Sequence, residues 1–177
     1  MIIKLKDVNF HLSRNIFKKI FIYPTDTIYG IGCNAKNKKL VERIREIKNR
    51  DQKPFSIIAP SFSYIIKNCE ADLSMLRKYL PGQYTLILRK RNKNFLNHVS
   101  NSEYIGIRIP KHPIKKFLQK TGNPIITTSV NISGEKPANR IEEINKEILE
   151  KVEIIIDDGK LSGKPSKIIK DGKLISR

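Results

Sequence analysis

Several groups of residues have types and spacings suited to chemistry on a small polar molecule. In Phe21-Ile-Tyr-Pro-Thr-Asp-Thr-Ile-Tyr-Gly-Ile-Gly32, Thr25 and Thr27 offer hydroxyls at alternate positions directly after Pro24. The β-branched and aromatic run that ends at Pro24 fits a strand and would not continue a helix, while Gly30 and Gly32 let the backbone pass close to a ligand or a neighbouring segment. A plain tight turn after a core strand fits the same residues. Lys48-Asn-Arg50 supplies two cations. Residues two apart on a helix point to different sides, so the pair converges only if a helix ends near Asn49, which Asp51 and Pro54 make plausible; cations there also simply complement the helix dipole.

Two strands add a period of two. In Tyr104-Ile-Gly-Ile-Arg-Ile-Pro110, Ile105, Ile107 and Ile109 share the face expected in the core. Tyr104, Gly106 and Arg108 share the other, where an arginine stands over a glycine-lined gap. In Ile126-Thr-Thr-Ser-Val-Asn131, alternation aligns Thr127, Ser129 and Asn131. An exposed sheet face that tolerates Thr and Ser gives the same pattern. Both strands beside the threonine turn describe a concave, polar, cationic face. No Cys–His or Ser–His pair suggests a covalent nucleophile, so catalysis would rest on positioning and charge neutralisation.

The elements that must hold these groups alternate along the chain. Residues 38–48 read as an amphipathic helix, with Leu40, Val41, Ile44 and Ile47 on one side. Strands are expected at 21–23, 54–59, 104–109, 124–130 and 152–156, a turn followed by a strand over 80–89, and short final strands around Ile168 and Leu174. Helices are expected within 4–19, 61–78, 113–120 and 141–151, and 91–102 reads as a polar, mobile loop. Interleaved strands and helices predict an α/β domain, a sheet partly covered by helices.

A length of 177 residues fits a single domain, 1–177, able to bury a core without metals or disulfides. Cys33 and Cys69 form no CxxC pair, so neither a disulfide framework nor a zinc site is indicated, and no metal ligand set is assigned. No apolar run approaches membrane-spanning length and no signal-peptide layout opens the chain, so a cytoplasmic protein is expected. The formal net charge of +18 invites a nucleic-acid reading. The lysines are spread over nearly every polar face, however, which favours weak, salt-sensitive RNA association over specific recognition.

Taken together and in order, Pro-Thr-Asp-Thr-Ile-Tyr-Gly, Lys48-x-Arg50, Leu80-Pro-Gly-Gln-Tyr-Thr85, Gly106-Ile-Arg-Ile-Pro110 and Ser129-x-Asn131-x-Ser133-Gly134 resemble the YrdC/TsaC family of threonylcarbamoyl-adenylate synthases. The resemblance spans nearly the whole chain. It implies a YrdC-like twisted open mixed sheet with flanking helices around a large basic cavity, and a nucleotidyl transfer that joins L-threonine, bicarbonate and ATP, with magnesium, into threonylcarbamoyl-adenylate and pyrophosphate. A downstream transferase complex would then place the threonylcarbamoyl group on tRNA. By the same resemblance Thr27, Arg108, Thr127 and Ser166 hold threonine, and Lys48, Arg50, Lys53, Ser129, Asn131 and Arg177 hold ATP, with Lys48, Arg50, Ser129 and Asn131 as the catalytic set. Lys48 and Arg50 are both expected on a solvent-facing cavity wall. Ser166-Lys-Ile-Ile-Lys170 keeps a family serine but carries lysines where relatives have Thr and Asp. Two other functions use similar features: a non-catalytic RNA-binding module, which needs neither KxR nor SxN, and the carbamoyl transfer of YrdC-like domains within hydrogenase-maturation proteins.

Overall fold

The computed structural model describes residues 1–8, 15–50 and 52–176. Ten strands form one mixed sheet in the order β1-β8-β2-β3-β7-β4-β6-β5-β9-β10. They are β1 (Ile2–Lys4), β2 (Phe21–Tyr23), β3 (Gly30–Gly32), β4 (Ser56–Ile58), β5 (Tyr84–Arg89), β6 (Tyr104–Arg108), β7 (Ile125–Ser129), β8 (Ile154–Asp157), β9 (Lys167–Lys170) and β10 (Lys173–Ile175). The helices are α1 (Lys38–Ile47), α2 (Phe62–Asn68), α3 (Leu73–Tyr79), α4 (Ile114–Gln119) and α5 (Lys146–Lys151).

Side-chain alternation splits the apolar residues between the two faces. Ile22, Ile31, Ile57, Ile105, Ile107, Ile126 and Ile155 belong to one core, which α1, α2, α3 and α5 cover with Val41, Ile44, Ile65, Leu76 and Ile148. The expected core face of β6 is thus the observed one. Phe21, Tyr23, Ile58, Ile125, Ile154 and Ile156 point the other way, into a smaller core closed by Ile114, Phe117 and Leu118 of α4. Each such aliphatic side chain contributes roughly 1.5–3 kcal/mol on burial. The second face is therefore only half covered. Where α4 stops, the outward residues of β7, β4, β6 and β5 change from apolar to hydroxyl, glycine and arginine, and the sheet is left open.

Helix ends follow local rules. Asn37, Ser61 and Asp72 cap α1, α2 and α3 by accepting from Leu40, Tyr64 and Met75 backbone N–H groups at 3.2, 3.1 and 2.9 Å. The helix expected over 141–151 is interrupted: a 3₁₀ turn, Ile141–Glu143, precedes α5, which Asn145 caps afresh. Gly30 and Gly32 lie in a strand and not in a turn; β3 pairs antiparallel with β2 and with β7. The loop expected to be mobile at 91–102 is tethered. Leu96, Val99 and Ser100 are buried, and the Lys90 ammonium donates to the carbonyls of Lys93, Phe95 and Ser100 at 3.2, 3.3 and 2.9 Å. The helix expected within 4–19 falls largely outside the described residues; a 3₁₀ turn occupies Leu5–Asp7.

Candidate functional site

The uncovered part of the second face is the floor of a cavity of about 480 Å³. Strand register builds that floor as a row: Thr127 pairs with Ser56, Ser56 with Gly106, and Gly106 with Ile87, and all of these residues line the cavity. Gly106 is required by close approach, because a Cβ there would stand 2.1 Å from Ser56 Oγ. Ser129, Thr25, Thr85 and Ser166 add hydroxyls to the walls, and among the described residues the charged side chains in the lining are Arg50 and Arg108. A cavity whose described lining holds two guanidiniums, a ring of hydroxyls and no carboxylate suits a polar anion.

One wall is organised around the turn after β2. The Thr25 hydroxyl donates to the Ile28 carbonyl at 2.7 Å and lies 2.8 Å from that of Thr27. Nη2 of Arg108 donates to Thr27 Oγ1 at 2.9 Å and to the Asp26 carboxylate. Nε of the same arginine is buried and has no hydrogen-bond partner among the described residues. Thr27 is fully buried and faces a second, smaller pocket, so Thr25 and not Thr27 reaches the main cavity from this turn. Ser166 arrives from a segment held against this wall. Tyr29 donates its hydroxyl to the Gly159 carbonyl at 2.8 Å and accepts from the Asp158 N–H at 2.9 Å. Gly163 packs so close that a Cβ would lie 2.4 Å from the Thr27 backbone. Ser166 Oγ then sits 2.8 Å from Thr85 Oγ1 inside the cavity.

The opposite wall comes from the end of α1. The helix stops at Ile47, and Asn49 adopts a left-handed φ of 46°, so the chain turns where the sequence required it to. The two cations do not meet in open solvent, however. Arg50 lines the cavity, its Nη2 donating to the Pro54 carbonyl at 2.8 Å, its guanidinium 5.1 Å from the Phe55 ring. Lys48 is only 1% exposed. Its ammonium is inserted beneath the end of β7, donating to the Ser129 and Asn131 carbonyls, both at 2.5 Å. The expectation of a solvent-facing Lys48 is thus corrected, because those carbonyls need a donor where β7 leaves the sheet. Burial, and then the neighbouring Arg50 charge, pull its pKa down from the usual 10.5 to about 7.

Asn131 is turned away from the lining: its amide donates to the Ile132 and Glu135 carbonyls at 2.9 and 2.7 Å. Alternation placed Asn131 beside Ser129, but β7 ends at Ser129 and the period ends with it. Lys53 is exposed and outside the lining. Thr127, Ser129, Arg50, Arg108 and Ser166 are brought together as expected, while Arg177 lies outside the described residues. Ser56, Thr85 and Tyr29 were not anticipated; for Thr85 the alternation of Thr85 and Ile87 in β5 carried the signal. Lys170 places its ammonium 4.4 Å from the Tyr104 ring centre, clear of the cavity lining.

An open, mixed sheet armoured by helices on one face and hollowed into a cation-and-hydroxyl cavity on the other defines an α/β small-molecule-binding protein. Residues 17–175 match the model of the Sua5/YciO/YrdC family, described as "Telomere recombination", and the chain belongs to that family. A Methanocaldococcus jannaschii protein, provisionally named threonylcarbamoyl-AMP synthase, is 44% identical over 165 residues, covering 89% of this chain and 78% of its own. The twisted sheet and its flanking helices match solved structures. Pyrococcus abyssi Sua5 complexed with L-threonine superposes with a TM-score of 0.85 at 26% identity over 98% of this chain and 55% of that one. Escherichia coli YciO gives 0.79 at 27% identity, over 96% and 88%. The chain thus spans about half of the Sua5 structure. Among the described residues, no helix is long and apolar enough to cross a membrane.

Proposed function

We propose that this protein is a cytoplasmic L-threonylcarbamoyladenylate synthase, a nucleotidyltransferase that makes threonylcarbamoyl-AMP and pyrophosphate from L-threonine, bicarbonate and ATP. The observation that carries the reading is a single cavity in which Arg108, with a buried Nε that has no partner among the described residues, shares a hydroxyl-rich lining with a second cation, Arg50. Arg108 would grip the threonine carboxylate, with Thr25, Thr85, Thr127 and Ser166 supplying polar contacts and Thr27 acting through Arg108. The related Sua5 that was solved with L-threonine supports the amino-acid half of this reading, and the synthase name of the Methanocaldococcus relative supports the rest.

In the reaction the threonine amine adds to carbon dioxide derived from bicarbonate and gives up a proton, leaving a carbamate. A carbamate oxygen attacks the α-phosphorus of ATP, and pyrophosphate departs with the bonding electrons of the broken P–O bond. No enzyme nucleophile is consumed. The protein's part is to hold the two substrates in line and offset phosphate charge. Arg50 and Ser129 are assigned to the phosphates, with Lys48 adding its field from behind Ser129, Asn131 shaping the turn, Lys53 as an outer contact, and Arg177 kept as a nucleotide contact on the family resemblance alone. Magnesium enters as part of the Mg–ATP substrate; among the described residues the lining has no carboxylate and no cluster of potential metal-ligating side chains occurs. The product would pass to a tRNA threonylcarbamoyltransferase complex, and scattered lysines would give at most weak RNA association.

Pyrophosphate release from ATP tests the reading. It should require both threonine and bicarbonate, and a protein that released none under any combination would not be a synthase.

A further inference from the structure

Asp26 sits between the two threonines of the turn, and its side chain is 8% exposed against an Arg108 side chain that is 6% exposed. A carboxylate so deeply buried is tolerated only when it is paired and hydrogen-bonded. Asp26 is both. Oδ1 accepts from Nη2 of Arg108, and Oδ2 accepts from the backbone N–H of Lys111 at 2.9 Å. Its own carbonyl accepts from Nε2 of Gln83 at 2.6 Å. Asp26 is therefore held at its carboxylate from the exit of β6 and at its backbone carbonyl from the segment before β5.

Arg108 stands at the end of β6 with a long, flexible side chain, which without partners would sample several rotamers. Nη2 is occupied by Asp26 and Thr27, while Nε is buried without a hydrogen-bond partner among the described residues. We infer that Asp26 is a positioning residue: it ties back one end of the Arg108 guanidinium and so presents the rest of that fork to an amino-acid carboxylate at one fixed angle. Asp26 lines the smaller pocket on the far side of the turn and not the main cavity, so it acts through Arg108 and not on the ligand. Pairing also leaves the guanidinium partly neutralised, which suits a carboxylate that must be released within a product. The inference rests on the amino-acid reading of this wall.

Asp26→Asn keeps the shape but has one acceptor oxygen for two donors, so either Arg108 or the Lys111 N–H loses its partner. With threonine and ATP varied separately, the variant should raise the threonine KM about tenfold and leave the ATP KM within about twofold, because a loosened Arg108 affects only one substrate. Calorimetric titration with threonine should show that Asp26→Asn adds no further loss in an Arg108→Ala background. Gln83→Ala, which removes only the support of the Asp26 carbonyl at the surface, should give a smaller rise in threonine KM, about two- to threefold, and provides the test if Asp26→Asn does not fold. Equal losses for threonine and ATP, or losses that add in the Arg108→Ala background, would show a purely structural role and overturn the inference. An unchanged threonine KM in a folded Asp26→Asn or Gln83→Ala variant, beside an active parent, would overturn it alone. An inactive parent would overturn the synthase reading first.

Discussion

On the Thr25 side of the cavity the buried charge is already answered: Arg108 is tied to the Asp26 carboxylate and to Thr27 before any ligand arrives. On the Arg50 side the cations rest on neutral oxygens. Arg50 donates to the Pro54 carbonyl, and Lys48 donates to those of Ser129 and Asn131. A carbonyl satisfies the hydrogen bond but leaves the net charge uncompensated. The first wall is thus preorganised for one small anion in one orientation, and the second keeps a positive field for a larger, more highly charged one. That is the division expected between an amino-acid carboxylate and a triphosphate.

The sharpest way to break this comparison is at Arg50. Arg50→Ala should lower adenylate formation by roughly 10²–10³-fold, as for removal of one group that stabilises developing phosphate charge. It should melt close to the parent, since the side chain stands at the cavity wall. Near-full activity in that variant would remove the nucleotide from this wall. Next in size, Arg108→Lys retains the charge but loses the planar fork, so the threonine KM should rise by about one to two orders of magnitude with the ATP KM little changed. Equal shifts would merge the two walls into one general cationic cavity.

Lys48 separates from Arg50 in stability. Lys48→Met removes a buried donor and strands the Ser129 and Asn131 carbonyls, at a cost of about 1–3 kcal/mol read from thermal or urea melts. A parent-like melt would mean that those carbonyls find another donor. The pH dependence follows with its sign. With a native pKa of about 7 against an ordinary 10.5, native Lys48 holds fewer protons than the unfolded chain between those values. Its contribution to stability therefore rises as pH increases across that window. The parent should show this upward slope relative to Lys48→Met. Parallel profiles would show that the ammonium is not held down by its surroundings.

How much of this the sequence disclosed depends on where local rules stop. Period-two alternation placed Arg108, Thr127 and Ser129 on the cavity face, because β6 and β7 are regular across those residues. It misplaced Asn131, two residues beyond the last ladder position, where the backbone is already turning to meet Lys48. The glycines of β3 gave no strand signal, since glycine has low strand propensity, yet Gly32 is needed there: a Cβ would lie 2.1 Å from the Ile126 carbonyl. The burial of Lys48 was hidden for a related reason. Nothing local in Lys48-Asn-Arg50 records that two carbonyls from residues 81 and 83 positions later will close over the ammonium. The tethering of 91–102 likewise draws on a buried side chain, Lys90, which composition reads as another surface lysine.

The most direct test of the whole account is mass analysis of the adenylate formed from ¹³C-bicarbonate, L-threonine and ATP. The cavity's two walls predict a single AMP conjugate that contains threonine and the labelled carbon, formed together with pyrophosphate. An adenylate of threonine that lacks the label, or no AMP conjugate at all, would contradict it.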